Sequence, residues 1–283
     1  MYILFDIGGT KTRIAKTVDC VSFEEPVIFE TPEKFEDAIR VISEKILELA
    51  DGEELAGACG DIAGIFNPEK DTLLHSPHLL DWSGKSLKAE LESRIKAPVH
   101  LENDADLVGL GEAVHGAGQG FSIVAYLTIS TGVGGGRIVD GKIDKRVFSF
   151  EPGFQIIDID KTATDSVNPE GHLEGFVSGS YMEKRFNKKP FEVEQSDPVW
   201  NELAKELAVG LHNVICFWSP DVIILGGSMM VGDPAISTDT VYDALKEIPT
   251  VFPRLPELKK AELGSIGGLY GALALANSKH ICV

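Results

Sequence analysis

The turn after the first apolar strand has residue types that suit phosphate binding. Asp6 ends the strand, and Gly8, Gly9, Thr10 and Lys11 follow it. Glycines let main-chain N–H groups converge on an anion, and a carboxylate can hold a hydrated cation that is shared with phosphates. A tight hairpin would use the same glycines, because glycine pairs are common in turns. This turn alone leaves a phosphate site and a plain hairpin equally open.

The same arrangement follows a second apolar strand, Ile123 to Ile129. A turn with Thr131, Gly132 and Gly134 comes next, and the chain then continues as a returning strand. Two such turns favour phosphate binding over a plain hairpin. They also indicate an internal duplication, with one phosphate loop from each half facing across a cleft.

Three acids and an amide lie where a short strand, Val99 to Glu102, meets a helix. Asn103, Asp104 and Asp106 are the polar residues that follow the strand. An acid at a helix N-terminus is most often a cap that satisfies free N–H groups. A carboxylate at the carboxyl end of a strand is also well placed as a general base or substrate ligand. Both roles stay open from these residues alone.

Further polar candidates stand apart from these clusters. The loop Gly64 to Ser83 contains His78 and is long for a compact domain, so it is either a substrate-facing segment or a surface connection. Glu151 and Glu174 are isolated carboxylates within EPGF and HLEG segments. A lone glutamate is usually solvated, and neither would be chosen without further evidence.

The elements that must position these residues alternate between strands and helices, which is typical of an α/β protein. Strand Val222 to Leu225 ends in Gly226 and Gly227, a third place where the backbone can approach a ligand closely. The last helix, Gly267 to Ser278, carries several glycines and is predicted to pack closely.

Composition narrows the class of protein. The 283 residues are 43% hydrophobic, enough to bury a sizeable core. A formal net charge of −18 argues against nucleic acid or an anionic membrane as the main partner. The absence of a signal pattern and of a spanning segment predicts a cytoplasmic protein. The scattered cysteines argue against a disulfide framework or a cysteine zinc site, and they favour mostly reduced thiols.

The order of the motifs resembles the ROK family of bacterial sugar kinases and sugar-responsive repressors. The segments that carry the resemblance are DIGGTKTRIA, SPHLLDW, LENDADLVGLGE, LTISTGVGGGRIVDGKI, EPGF, HLEGFVSG and ILGGSMM. They span essentially the whole chain. Because the chain begins directly at the first phosphate strand, without the helix-turn-helix of the repressors, we expect the kinase branch.

The resemblance implies a two-domain, actin-like (ribonuclease H-like) ATPase fold with duplicated mixed β-sheets, flanking helices and an interdomain cleft. We expect a small N-terminal domain of residues 1–106 plus the C-terminal helix 267–283, and a larger domain of residues 107–266. The resemblance also implies ATP and Mg²⁺ as cofactors and a sugar as the small-molecule partner, and it allows a homodimer.

Residue roles follow from the same resemblance. Asp104 is implied as the general base for the sugar hydroxyl. The implied sugar ligands are Asn103, Glu151, Glu174 and His78. The implied nucleotide-binding residues are Asp6, Gly8, Gly9, Thr10, Lys11, Thr131, Gly132, Gly134, Gly226 and Gly227. Asp6 is expected near Mg²⁺, with water between them.

The chain departs from the family at the sugar end. Phe154 replaces the usual histidine, which in the family touches the sugar and ligates a structural zinc. The three cysteine positions of the family motif read Asp165, Val167 and His172. Without the histidine and all three thiolates no closed tetrahedral site can form, so we predict no structural zinc. Phe154, together with His78 where asparagine is more usual, puts strict glucose specificity in doubt.

The leading hypothesis is ATP-dependent phosphorylation of a hexose or hexose derivative at its 6-hydroxyl. Candidate substrates are glucose, fructose, mannose and N-acetylated amino sugars. Phe154 and the lost zinc motif motivate an alternative, a catalytically silent sugar or nucleotide sensor. Asp104 speaks against that alternative, because a sensor has no need of a base. A structural ATPase of the same superfamily is a third, weaker hypothesis.

Overall fold

The computed structural model describes residues 1–76, 78–160 and 170–278. Its contacts divide the chain into two compact units, each built from more than one segment. Unit 1 comprises Met1–His115, Gly141–Ser149 and Leu263–Val283, and unit 2 comprises Gly116–Asp140 and Phe150–Glu262.

Strands and helices alternate along the described chain. The strands are β1 (Tyr2–Ile7), β2 (Lys11–Thr17), β3 (Val27–Glu30), β4 (Gly57–Ile62), β5 (Ile65–Phe66), β6 (Leu73–His75), β7 (Val99–Asn103), β8 (Ile123–Ile129), β9 (Val133–Val139), β10 (Lys142–Ile143), β11 (Val222–Gly226) and β12 (Glu257–Lys260). The helices are α1 (Phe35–Ala50), α2 (Leu87–Ile95), α3 (Asp104–His115), α4 (Glu174–Val177), α5 (Gly179–Phe186), α6 (Val199–Trp218), α7 (Ser228–Val231), α8 (Thr238–Glu247) and α9 (Gly267–Ser278).

Each unit contains a mixed sheet with the same pairing pattern. In unit 1 the strand order is β3-β2-β1-β4-β7, with β1 antiparallel to β2 and parallel to β4. In unit 2, β8 takes the place of β1: it is antiparallel to β9 and parallel to β11, and β11 is parallel to β12. The repeated pattern confirms the predicted α/β class and the duplicated mixed sheets.

The first strand is buried on both faces, which explains its nearly continuous apolar sequence. Side chains alternate across a strand, so Ile3, Phe5 and Ile7 join the core beneath α1. Asp6 points to the opposite face, where Gly268 in the first turn of α9 packs against it. The strand therefore delivers one carboxyl group to the side of the sheet that α9 covers.

Helices α3 and α9 pack backbone to backbone, as the glycines of the last helix predicted. A Cβ atom at Gly271 would lie 1.8 Å from the carbonyl oxygen of Leu107, so only glycine fits there. On α3, a Cβ at Gly111 would lie 2.6 Å from the carbonyl oxygen of Gly267. This contact fixes the start of α3, the helix that begins at Asp104.

The core of unit 2 forms between its sheet and the long helix α6. Leu127 and Ile223 from the sheet pack with Leu207 and Leu211 from the helix, and all four are fully buried. The helix starts after Asp197, whose Oδ1 accepts a hydrogen bond from the Val199 N–H at 3.0 Å. Asp197 thus satisfies the first free N–H group of the helix, although Pro198 occupies the N-cap position.

The structure bears on two predictions, one about membrane-spanning helices and one about the state of the cysteines. Within the described ranges, no helix is long and apolar enough to cross a bilayer. Cys59 and Cys216 are not in a disulfide. Cys20 is disulfide-bonded, an exception to the expected reduced state of most thiols.

Candidate active site

The first glycine turn joins β1 to β2 in unit 1. The Gly8 N–H donates to the Lys11 carbonyl at 3.0 Å, which closes the turn. The Gly8 carbonyl accepts a hydrogen bond from the Thr31 hydroxyl at 2.8 Å. Thr10 and Lys11 are exposed. The turn is thus held from behind by β3 and its following residue, while its hydroxyl and ammonium groups face solvent.

Asp6 is held by a cation on the neighbouring strand. Arg13, its register partner on β2, donates from Nη1 to Asp6 Oδ2 at 3.0 Å. Burial raises the pKa of Asp6, the Arg13 guanidinium lowers it, and the nearby charge of Asp104 raises it. Asp6 is therefore one member of a group of carboxyls in unit 1.

Asp61 is a second buried carboxyl that sequence reasoning missed. It is the register partner of Asp6 on β4, and its side chain is fully buried. No N–H or O–H donor of the described chain reaches its carboxylate oxygens, and its side chain lies within hydrogen-bond reach of the Asp6 carboxyl. Burial raises its pKa far above the ordinary value, and the charges of Asp6 and Asp104 add to the effect. The available signal was an acid within a small-residue strand, GACGDI.

Asn103 and Asp104 stand at the junction of β7 and α3. The Asn103 Oδ1 accepts the Asp106 N–H at 3.2 Å, and its Nδ2 donates to the Gly64 carbonyl at 3.0 Å. Asn103 therefore caps the helix and ties it to the loop after β4. The carboxyl of Asp104 also accepts backbone N–H groups at the helix start, so its role as a base stays a prediction.

The carboxyl of Asp104 has an unusual electrostatic environment. Burial raises its pKa, while backbone N–H groups at Ala105 and Asp104 and the charge of His78 lower it. His78 also packs over the first glycine turn, since a Cβ at Gly9 would lie 2.5 Å from the His78 Cβ. Unit 1 thus brings Asp6, Asp104 and His78 together at the glycine turn.

The second glycine turn joins β8 to β9 in unit 2. The Ser130 N–H donates to the Gly132 carbonyl at 2.8 Å. Glu174, at the start of α4, accepts the Val133 N–H on Oε2 at 2.8 Å. A Cβ at Gly132 would lie 2.7 Å from that oxygen, so the glycine makes room for the carboxylate. Thr131 and Glu174 are therefore neighbours, a relation that the sequence did not predict.

The third glycine pair packs beside the second turn. Gly227 has φ of 84°, and a Cβ there would lie 2.2 Å from the Ile129 carbonyl oxygen. The hydroxyls of Ser228 and Ser130 are 3.1 Å apart. Gly226 and Gly227 therefore lie next to the turn that carries Thr131, while Gly134 continues into β9.

The EPGF and HLEG segments are adjacent in unit 2. The Leu173 N–H donates to the Gln155 carbonyl at 2.9 Å, next to the short 3₁₀ turn that follows Glu151. The rings of Phe154 and His172 meet edge to face, with centroids 5.5 Å apart. Asp165 and Val167 lie outside the described residues.

The described ranges contain no site in which several side chains could together bind a metal ion directly. No group of three or more histidine, cysteine, aspartate or glutamate side chains there is arranged to hold a metal ion.

Paired mixed sheets with a glycine turn at the end of each first strand define a class of nucleotide-binding α/β proteins. The ROK family model matches residues 2–279, and the chain belongs to the ROK family. The chain is 26% identical over 304 residues to the N-acetyl-D-glucosamine kinase of Escherichia coli O127:H6, covering 97% of this chain and 99% of that protein.

Solved structures of ROK family proteins have a fold similar to that of this chain. A ROK family glucokinase from Streptomyces griseus, in complex with glucose and AMPPNP, matches with a TM-score of 0.75 and 26% identity, covering 98% of this chain and 99% of that one. A ROK family transcriptional regulator, a homologue of the E. coli MLC protein, matches with a TM-score of 0.83 and 18% identity, covering 99% of this chain and 78% of that one. The second likeness concerns the fold alone. The structural matches confirm the actin-like sugar-kinase fold expected from the motifs.

Proposed function

We propose that this protein transfers the γ-phosphoryl group of ATP to the 6-hydroxyl of a hexose or hexose derivative. The observation that carries the proposal is the carboxyl of Asp104. Its pKa is raised by burial, the capping task is met by Asn103, and the first glycine turn lies beside it. The names of the relatives, an N-acetyl-D-glucosamine kinase and a glucokinase, support an N-acetylated amino sugar or glucose, and fructose and mannose are further candidates.

The proposed base acts on the acceptor hydroxyl. Asp104 takes the hydroxyl proton as the oxygen attacks the phosphorus, and the bond to the leaving ADP oxygen breaks. A base with a raised pKa suits this step, because a proton acceptor works best when its pKa approaches the working pH. Asn103, Glu151, Glu174 and His78 are the proposed sugar ligands.

Nucleotide binding is assigned to the glycine turns. Gly8, Gly9, Thr10 and Lys11 in unit 1 are proposed to bind phosphate. In unit 2 the proposed nucleotide-binding residues are Thr131, Gly132, Gly134, Gly226 and Gly227. Positioning and charge neutralisation carry most of the catalysis in phosphoryl transfer, so backbone groups are adequate for the task.

The carboxyls beside the first turn suit a hydrated Mg²⁺. Within the described chain no N–H or O–H donor reaches the buried oxygens of Asp61, which lies beside the Asp6 carboxyl, and Arg13 is the cation bonded to Asp6. Asp6 would hold the ion, with water between them. Bound Mg²⁺ would supply neutralisation of the charge on the transferred phosphoryl group.

Replacing the base tests this mechanism. Asp104→Ala is expected to lower kcat by about 10²- to 10⁴-fold, the usual contribution of a general base. ATP affinity is expected to change little, since the residue is assigned to the acceptor and not to the nucleotide. Initial rates of ADP formation with a saturating sugar measure the effect. Near-parental turnover would show that the base is assigned wrongly.

A sugar or nucleotide sensor is the second candidate function. Phe154 and His172 motivate it, because their rings are in contact and both occupy positions at which the family resemblance implies a zinc ligand. A sensor would gain thermal stability on binding a sugar without consuming ATP. Sugar-dependent ADP formation separates the two functions.

A further inference from the structure

A buried ionic network surrounds the junction that carries Asn103 and Asp104. Arg146 Nη2 lies 3.1 Å from Glu102 Oε2 and also donates to Asp106 Oδ2. Lys70 Nζ lies 2.5 Å from Glu102 Oε1. The side chains of Arg146, Glu102 and Asp106 are 8%, 10% and 0% exposed. These three side chains are therefore almost out of contact with water, while the side chain of Lys70 is 35% exposed.

The network links the two elements on either side of the proposed base. Glu102 belongs to the end of β7, and Asp106 belongs to the first turn of α3. Arg146 comes from Gly141–Ser149, a segment of unit 1 that is distant in sequence from both. One guanidinium thus joins the residue before the Asn103–Asp104 pair to Asp106, which lies two positions after the pair.

Arg146 contacts the face of the strand-to-helix junction that lies opposite to Asn103. Successive side chains of a strand point to opposite faces, so Glu102 points away from Asn103. The guanidinium therefore meets the face of β7 opposite to Asn103. Asp106 connects the two faces, because its N–H donates to the Asn103 side chain while its carboxylate binds Arg146.

The main effect of a buried ion network of this kind is to orient the groups that it joins. Its contribution to the folding free energy is small. Replacing buried ion pairs with apolar residues of similar volume is often neutral or stabilising, so such pairs are a weak source of folding free energy. A planar guanidinium with two carboxylate partners, however, fixes the direction of both. Here the two ion pairs of Arg146 fix the conformation of the backbone between Glu102 and Asp106.

We propose that Arg146 is a positioning residue for Asp104. The inference rests on the proposed function, in which Asp104 must lie within hydrogen-bond reach of the acceptor hydroxyl. Arg146 holds the strand-to-helix junction in one conformation through Glu102 and Asp106, and the junction holds the base. A misplacement of about 1 Å can cost on the order of 10²-fold in rate.

A double-mutant cycle tests the proposal. Arg146→Met is expected to lower kcat by about ten- to 100-fold, with KM for ATP changed by less than about threefold, because the network does not contact the glycine turn. In an Asp104→Ala background the same substitution is expected to have no further effect on kcat. A merely structural role would instead lower kcat by the same factor in both backgrounds, and that result would overturn the proposal.

Two further variants separate positioning from folding. The triple variant Glu102→Gln/Asp106→Asn/Arg146→Met leaves no unpaired carboxylate, so its Tm is expected near the parental value while kcat stays low. Recovery of kcat together with Tm would overturn the proposal. Arg40→Met removes an exposed ion pair on α1 and serves as the matched control with unchanged kcat. Parental turnover in Asp104→Ala would instead refute the base assignment itself, which is a distinguishable failure.

Discussion

Asn103 and Asp104 lie side by side at the start of α3. The amide accepts the Asp106 N–H, and the neighbouring carboxyl is the base that we propose. Sequence alone could predict that one acid or amide would cap this helix, because the residue types at a strand-to-helix junction are informative. It could not assign the cap, since the choice depends on the conformation of the junction and on the contact of Asn103 with Gly64.

Asp61 shows why part of a site escapes sequence analysis. Its importance comes from strand register, which places it opposite Asp6 although the two residues lie far apart in the chain. No local motif marks it. Register is set by long-range packing of both strands, and a shift by one residue would send its side chain to the other face of the sheet.

The contact of Phe154 with His172 supports a prediction about zinc. Because an aromatic ring occupies one family ligand position, the purified protein is expected to contain far less than stoichiometric zinc. Prolonged dialysis against a strong chelator is expected to leave Tm unchanged, since removal of a structural zinc normally unfolds its site. Elemental analysis by mass spectrometry measures the content. Tightly held stoichiometric zinc would contradict the account of this segment.

At the scale of elements, the hydrophobic pattern predicted most strands and helices. The last helix has the predicted bounds Gly267–Ser278, and its glycines pack as expected. The first helix begins at Phe35, three residues after Pro32, and α3 takes in Asp104. Helix starts are harder to predict because capping choices among neighbouring polar residues depend on tertiary contacts.

Helix α6 carries a carboxyl that should make stability depend on pH. Glu206 has a buried oxygen without a partner in the described chain, and burial raises its pKa to about 7, with Arg185 lowering it and Glu202 raising it. An ordinary glutamate has a pKa of about 4.3, so the unfolded chain ionises first. The stability that Glu206 contributes is therefore full below about pH 4.3 and is lost as the pH rises through about 7.

Glu206→Gln should remove that pH dependence. The variant is expected to melt above the parent at pH 8, by about 2–4 °C for each kcal/mol relieved, and to match it near pH 4. Thermal melts across this range measure the difference. The control is Glu247→Gln at the exposed end of α8, for which no pH-dependent change is expected. An equal offset at both pH values would count against the buried-acid explanation.

At the scale of the whole molecule, the sequence showed the duplication of the sheets. It did not show how the chain segments divide between the two units. Two glycine turns after apolar strands predicted the repeated sheets, because each repeat leaves its own local motif. The segment Gly141–Ser149 belongs to unit 1 although both of its neighbours in the chain belong to unit 2. The return of the chain to unit 1 at this segment depends on long-range contacts such as those of Arg146. No local sequence pattern encodes such contacts.

The central claim is phosphoryl transfer from ATP to a sugar, and a sugar panel tests it most directly. The purified protein would be incubated with ATP and Mg²⁺ and with hexoses, amino sugars or N-acetylated amino sugars, while ADP and sugar phosphate are quantified. The account predicts sugar-dependent ADP formation with an equal amount of sugar 6-phosphate, and no product from the 6-deoxy analogue. ADP formation that no sugar raises above the sugar-free rate would contradict it.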